Sequence, residues 1–394
     1  MTTKETLMIE ENSKRTQYYD ITNLLSTGAS ILIPYGERSN GKSGAVKDLI
    51  LFGKKTKEVS IDGILDNLGK RYFLYVRRWK EDTKFEHASG YFADDFIIEK
   101  IEKWSDGLWN RIAYTKGRTF KLAFEDENGK ITYGSTVGYA VGVSEAEHLK
   151  SNAKYSKCNF VIFEEFLTNK MYLPNEVVDF ESILSTVRRK RESDFYVFMI
   201  ANTVSRVCPY FETWNLHRIF RQKIGTIEIY KRSTIDNDGN EHITKIAVER
   251  CANSSEKSKL VLRTSGVDMV NDGAWECSQY PLLYKPLRFF ENVYEVFFVR
   301  GNFKFRLIYL YDSELEKYIW YCEPKTTELK LQSDDRVVAD WYYKDCNWSA
   351  DFTPLFMFER EIFNELKNYN IVFSDNLTGQ EFYQCMNQKA IPMR

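Results

Sequence analysis

Residues Ser30–Gly53 read SILIPYGERSNGKSGAVKDLILFG, and this stretch decides the fold. An apolar run, Ser30 to Tyr35, is followed by GERSNGKS, Gly36 to Ser43, which satisfies G-x-x-x-x-G-K-[ST]. The segment after it has the look of a helix. That order of strand, glycine-rich loop and helix is the context in which such a loop cradles phosphates. Glycines let backbone N–H groups fold around a β-phosphate, the helix N-terminus adds its positive end, Lys42 reaches the β and γ oxygens, and the Ser43 hydroxyl is placed for Mg²⁺. Gly36, Glu37, Arg38, Ser39, Asn40, Gly41, Lys42 and Ser43 are therefore the candidate ATP-binding residues.

Working outward, Arg71 to Arg77, Asn159 to Phe163 and Phe195 to Ala201 are further buried-strand patterns separated by longer segments containing helices. The alternation predicts an α/β domain with a largely parallel sheet. In FKLAFEDENGKITYG the pair Asn128-Gly129 predicts a hairpin with a two-residue turn, a decoration of that sheet. Turn signals at Asp238-Gly239 and Asn253-Ser254-Ser255 suggest a linker. Beyond it, VYEVFFV, FKFRLIYLY and KYIWYC predict an antiparallel sheet, followed by a helix from about Pro354 to Asn368. The expected division is residues 1–232 for the nucleotide-binding domain, 233–284 for the linker and 285–394 for a smaller α+β domain.

Composition excludes several classes. The 394 residues are 43% apolar and 28% charged, the profile of a soluble globular chain. No apolar stretch approaches the ~20 residues of a membrane-spanning helix, and the N-terminus lacks a secretory core, so a cytoplasmic chain without membrane attachment is expected. A formal net charge of −1 makes any nucleic-acid surface a local patch. Seven scattered cysteines and four histidines offer no metal spacing, so buried free thiols are expected.

The chemistry sits at strand ends. NFVIFEEF, Asn159 to Phe166, closes a strand with two carboxylates. Beside a phosphate loop the first acid, Glu164, is expected to serve the Mg²⁺ shell and the second, Glu165, to act as catalytic base toward water; charges at a helix N-terminus are the plain alternative. Glu164 stands where Asp is usual, one methylene longer. DFYVFMIANTVS ends a strand at Asn202, placed to meet a γ-phosphate; an Asx turn is the plain alternative. The basic clusters YVRRWK (Arg77 and Lys80) and VRRKR (Arg189) are either solvated charge runs or grips on phosphate.

Taken together, GERSNGKS, YFLYVRRWK, EHLKSNAKYSKCNFVIFEEF, YLPNEVV, STVRRKRE and ANTVSRVCPYF, in this order and spacing, resemble the DNA-packaging ATPases (encapsidation proteins) of small podoviruses with protein-primed genomes, compact relatives of terminase large subunits. The resemblance covers about Ser30 to Phe211. It implies a P-loop NTPase of the ASCE type that hydrolyses ATP with Mg²⁺ to drive double-stranded DNA into a procapsid. It further implies a homo-oligomeric ring, five subunits by analogy, docked on the portal or connector. A packaging RNA is a partner in some relatives. The site of action would be the host cytoplasm, transiently at the portal, with no place in the mature virion.

By motif position the resemblance gives Lys42 and Ser43 the phosphate and Mg²⁺ contacts, Glu164 and Glu165 the acid pair, and Asn202 the coupling of hydrolysis to movement. Arg189 falls at the trans-acting arginine finger and Lys80 is a second basic candidate at the subunit boundary. For the C-terminal domain it leaves open a degenerate RNase H-like fold. FKFRLIYLY carries no acid until Asp312, and Asp334, Asp335, Asp340 and Asp351 sit mainly in apparent loops, so no nuclease activity is expected. The competing readings are another DNA-dependent P-loop ATPase (helicase or ring translocase), a nucleotide-binding docking protein that does not hydrolyse, and a small-molecule kinase, the last disfavoured by the appended domain.

Overall fold

The structure, a computed structural model, describes residues 4–7, 19–38, 40–149, 153–188, 195–216, 218–235, 241–251, 278–300, 303–327, 337–340 and 371–387. Its strands are β1 (Lys4–Leu7), β2 (Ile31–Gly36), β3 (Lys54–Lys55), β4 (Ser60–Ile61), β5 (Tyr72–Arg77), β6 (Arg111–Thr115), β7 (Thr119–Glu125), β8 (Ile131–Gly142), β9 (Cys158–Glu164), β10 (Tyr196–Asn202), β11 (Thr226–Ile235), β12 (Glu241–Arg250), β13 (Glu291–Arg300), β14 (Phe303–Asp312), β15 (Lys317–Pro324), β16 (Val337–Asp340) and β17 (Ile371–Phe373).

Ten strands form one sheet in the order β1-β11-β12-β2-β10-β9-β5-β8-β7-β6. The run from β12 to β8 is parallel throughout and antiparallel pairs flank it on both sides. Strands buried on both faces need apolar side chains at every position. β2 (ILIPYG) and β9 (CNFVIFE) are accordingly buried along their whole length. One face packs under the helix Glu176–Arg188 and the other under the helices Lys42–Phe52 and Asp95–Trp104, giving two cores separated by the sheet. All strands read as buried from the sequence lie in the parallel centre. The chain is thus a mixed α/β protein built on a large sheet with a parallel centre.

Two expectations shift. The hairpin loop spans residues 126–130 and is not a two-residue turn, because the Asp126 carboxylate accepts the N–H groups of Asn128 and Lys130 and widens it. Nor is the hairpin a decoration: the second half of β8 pairs with β5, so the hairpin forms the sheet's far side. Residues 233–235 and 241–250, inside the stretch expected to be a linker, are strand, and Ile246, Ala247 and Val248 bury against β2.

The second sheet, β16-β13-β14-β15-β17, holds the three predicted aromatic strands as an antiparallel meander, with parallel β16 and β17 at its edges. Trp320, Phe305, Phe298 and Phe373 pack beneath the helix Asn376–Asn387, which the sequence pattern did not announce. The helix expected over Pro354 to Asn368 lies outside the described residues. Cys158, Cys208, Cys251, Cys322 and Cys385 are buried free thiols. No helix among the described residues is long and apolar enough to cross a membrane.

Candidate functional site

In a parallel sheet every strand delivers its carboxyl end to the same edge, where ligands of open α/β sheets bind. Here β2, β9 and β10 end side by side and bring Gly36, Glu164 and Asn202 to one rim. The loop leaving β2 turns on Gly36 (φ 148°) and Gly41 (φ 91°), left-handed conformations that side chains resist. At Gly36 an added Cβ would meet Cys251 only at ordinary contact distance, so the positive φ is what calls for glycine there. Gly41 then precedes the helix Lys42–Phe52 with no side-chain cap. The first N–H groups of a helix have no acceptor within it, so this end offers donors and a positive dipole to an anion.

Lys42 is only 5% exposed. Its ammonium donates to the Glu37 carbonyl, to Asn40 Oδ1 at 3.1 Å and to Asn202 Oδ1 at 3.5 Å. Burial pushes its pKa down, against the pull of Glu164 and Glu37. Glu164 is buried, and its pKa is raised by burial, opposed by hydrogen bonds from the Ser43 and Tyr91 hydroxyls and by the Lys47 charge. Tyr91 Oη donates to Glu164 Oε1 at 3.1 Å, while Lys47 is itself engaged by Asp94 at 2.7 Å.

Glu165 is a different kind of residue. Its backbone takes φ 56°, a left-handed conformation uncommon for a side-chain-bearing residue and often found where function requires strain. The kink swings its carboxylate out of the strand line into a largely exposed position, 2.7 Å from the Arg77 guanidinium. Arg78 pins the kink from the other side. It donates to the carbonyls of Glu165 (3.5 Å) and Phe166 (2.5 Å), pairs with buried Glu176 at 2.7 Å and lies over the Tyr172 ring.

Arg77 and Arg78 are consecutive, so leaving an extended strand they face opposite ways. One reaches the Glu165 carboxylate and the other its carbonyl. Sequence reasoning noted the basic cluster but not Arg78; its only signal was a second Arg directly after a strand position.

These groups line a cavity of about 800 Å³ that runs from Arg38, Lys42, Ser43 and Glu164 toward Tyr19, Asp20, Phe96 and Lys54. A second cleft of about 460 Å³ opens from the same rim, shares Arg38, Glu164, Glu165 and Asn202, and adds Arg77, Arg78 and Lys170. Thus Gly36, Glu37, Arg38, Asn40, Gly41, Lys42, Ser43, Glu164, Glu165, Asn202 and Arg77 are brought together. Lys80 is exposed, lines neither cavity, and uses its backbone N–H on Ser144 at 3.0 Å. Ser39 and Arg189 lie outside the described residues.

Among the described residues no group of three or more His, Cys, Asp or Glu could hold a metal. Mg²⁺ does not require one, since it takes one or two protein oxygens and fills its octahedron with water and phosphate. The adjacent Ser43 hydroxyl and Glu164 carboxylate, whose buried charge the protein only partly compensates, fit that need.

A DNA packaging protein of Bacillus phage B103 is 33% identical over 147 residues, 36% of this chain and 39% of the relative. A DNA packaging protein of Bacillus phage phi29 is 29% identical over 207 residues, 50% of each chain. The chain therefore spans half or less of the length of these curated relatives.

Among solved structures, the bacteriophage Phi-29 viral genome packaging motor assembly overlays at 19% identity and TM-score 0.45, covering 94% of this chain and 99% of that one. The N-terminal domain of the DNA packaging ATPase from bacteriophage phi29 overlays at 24% identity and TM-score 0.39, covering 62% and 100%. Overlays this loose add nothing to the geometry above. The profile of the Podovirus DNA encapsidation protein (Gp16) matches residues 13–260, which takes in the whole glycine loop, both acids and Asn202. With well over half its length matched, the chain belongs to the Podovirus DNA encapsidation protein (Gp16) family.

Proposed function

We propose that this chain is an ATP-driven motor subunit that moves double-stranded viral DNA into a procapsid. The observation that carries this reading is the meeting of Lys42, Ser43, Glu164, Glu165 and Asn202 on one rim of the parallel sheet. In this reading the amides opening the Lys42–Phe52 helix hold the β-phosphate, and Lys42 turns from the Glu37 carbonyl to the β and γ oxygens. Ser43 and Glu164 hold Mg²⁺, which neutralises phosphate charge when bound.

Glu165 accepts a proton from the attacking water as the oxygen bonds to the γ-phosphorus and the bond to the bridging oxygen of ADP breaks. As long as Arg77 grips the Glu165 carboxylate, its basicity is tied up; release of that pair readies the site. Asn202, hydrogen-bonded to Lys42, sits where the γ-phosphate would be sensed.

Arg189 acts from a neighbouring subunit as the arginine finger, with Lys80 at the same boundary, so the chain works in a homo-oligomeric ring, a pentamer by family analogy. The nucleotide-binding domain extends through β12, and the domain from about Tyr284 onward binds DNA, the portal or a packaging RNA without cutting DNA. The work is done in the host cytoplasm at the portal, away from membranes and from the mature virion.

The test is steady-state ATP turnover with and without duplex DNA for the native chain, Lys42→Ala, Glu165→Gln and Arg189→Ala. Turnover stimulated by duplex DNA without unwinding is expected, and mixing Arg189→Ala with Glu165→Gln should restore part of the activity. Absence of turnover by the assembled native chain overturns the motor reading and favours a docking protein, the alternative to which the longer Glu164 side chain lends support.

A further inference from the structure

Past Asn202 the chain leaves the sheet and runs directly beneath the C-terminal domain. Val204 N–H donates back to the Asn202 carbonyl at 2.9 Å, so the segment starts with no slack. Thr203 and Ser205 are buried, and Val207, 0% exposed, packs among Phe298, Phe305 and Phe373 of the second sheet and Phe382 of the helix Asn376–Asn387. The helix Asn376–Asn387 holds three successive points of this strap. Gln380 Nε2 donates to the Val204 carbonyl at 3.4 Å, the Ser205 hydroxyl has Gln384 Oε1 at 3.0 Å beside the Val207 carbonyl at 2.9 Å, and Arg206 pairs with Glu381 at 3.2 Å. The Arg206 and Glu381 side chains are 26% and 14% exposed, so this pair is largely withdrawn from water.

The chain leaving the acidic strand β9 meets the same helix. Asn169, Lys170 and Met171 line the cleft beside Glu165 and also a cavity of about 390 Å³ whose other walls include Gln380, Tyr383 and Gln384. Both carboxyl-end loops of the site thus run to one helix face.

We infer that the helix Asn376–Asn387, gripping residues 204–207 through Arg206–Glu381 and Ser205–Gln384, is a positioning element for Asn202 that links the nucleotide site to the C-terminal domain. The inference rests on the ATP-site reading for its consequence but on the strap alone for its geometry. Five residues from Asn202 to Arg206, at most ~3.5 Å apiece, cannot absorb a displacement at one end without moving the other when held at three points. A shift of Asn202 against Lys42 on nucleotide binding therefore pulls on the helix, and docking of the C-terminal domain in turn fixes where Asn202 stands. Arg206, Ser205, Glu381 and Gln384 line neither the cavity nor the cleft at the rim, and act only through Asn202.

The experiment uses the full chain and the variants Arg206→Glu, Glu381→Arg, their double swap, and the milder Arg206→Lys and Gln384→Ala. Two quantities are read: kcat and KM for ATP with duplex DNA, and hydrogen exchange of residues 376–387 with and without ATPγS. Misplacing a site residue by an ångström slows catalysis by up to ~100-fold, so each charge reversal should lower kcat about tenfold with KM changed less than about twofold. The double swap should recover most of the loss. In the native chain ATPγS should alter exchange of the helix, and either single reversal should abolish the response.

Should the reversals fail to fold, Gln384→Ala and Arg206→Lys must still lower kcat and weaken the exchange response. Variants that lose thermal stability while kcat and the exchange response stay native would overturn the inference and leave a plain domain contact. A native chain with no turnover whose helix still responds to ATPγS defeats the hydrolysis reading but not the strap. Normal turnover with an unresponsive helix does the reverse.

Discussion

The two sheets treat buried charge in opposite ways. In the ten-stranded sheet, parallel strands collect polar residues on one rim, and there Lys42 and Glu164 are both pushed toward neutrality by burial. In the five-stranded sheet, successive antiparallel strands send their ends to opposite edges, and charges are matched on the spot. Asp312 is fully buried; burial opposes its ionisation, yet hydrogen bonds from Lys285, Tyr284 and the amides of Glu314 and Leu315 hold its pKa at about 2. Arg306 lies between Glu295 and Glu323 on the flanking strands. Charge left incompletely matched inside a cleft marks where a ligand supplies the remainder, while matched charge marks architecture.

The sharpest way to break this contrast is at the first sheet's rim. Lys42→Ala or Glu165→Gln should cut ATP turnover by about 10²- to 10³-fold, as expected for a lost transition-state donor or general base, with folding unchanged by circular dichroism. Turnover within a few-fold of native would erase the distinction. Next is Arg78→Ala, which leaves Glu176 buried without its cation. Breaking such a pair costs about 3–5 kcal/mol, so the midpoint of chemical denaturation should fall sharply and turnover with it, because the Glu165 kink loses its clamp.

Glu249 on β12 extends the contrast to pH. Burial raises its pKa to about 7, opposed by the hydrogen bond from Tyr19 and reinforced by Asp20. A carboxyl whose folded pKa exceeds its unfolded one, ~4.3, stabilises most when protonated. Its contribution is full below the unfolded pKa and is lost as pH rises through 7, by about 4 kcal/mol in all. Urea denaturation from acid to neutral pH should show this decline in the native chain and a flatter profile in Glu249→Gln.

A smaller effect is expected of Arg77→Ala. Freed from the 2.7 Å ion pair, Glu165 should support basal turnover a few-fold higher without DNA, with correspondingly weaker stimulation by DNA. Basal turnover that falls instead would mean Arg77 serves the phosphates and does not restrain the base. Smallest of all, Asp312→Asn should leave turnover native while lowering the melting temperature by a few degrees. Any loss of ATP turnover there would show that the second sheet's matched charges reach the chemistry.

Much of the site could be read from residues close together in the chain. The glycines, lysine and hydroxyl of Gly36 to Ser43 fall within eight positions between a strand and a helix, so this candidate loop could be picked out locally. The apolar runs ending at Glu164 and Asn202 did likewise, because strands buried on both faces have no freedom to be polar. The hairpin loop misled, since Asp126 captured two amides where Asn128-Gly129 alone signalled a tight turn.

What the sequence determined by itself was local: the loop, the central strands, the acid pair and the aromatic meander, each fixed by spacing or periodicity within a few residues. Tertiary structure alone decided that β12 lies beside β2, and that Arg77 reaches Glu165 across 88 positions while Arg78 holds its backbone. It alone decided, too, that the strap after Asn202 lies under a helix about 175 positions away. Those pairings follow from strand order and the left-handed kink at Glu165. Periodicity says which face of a strand is buried, but not which strand lies beside it.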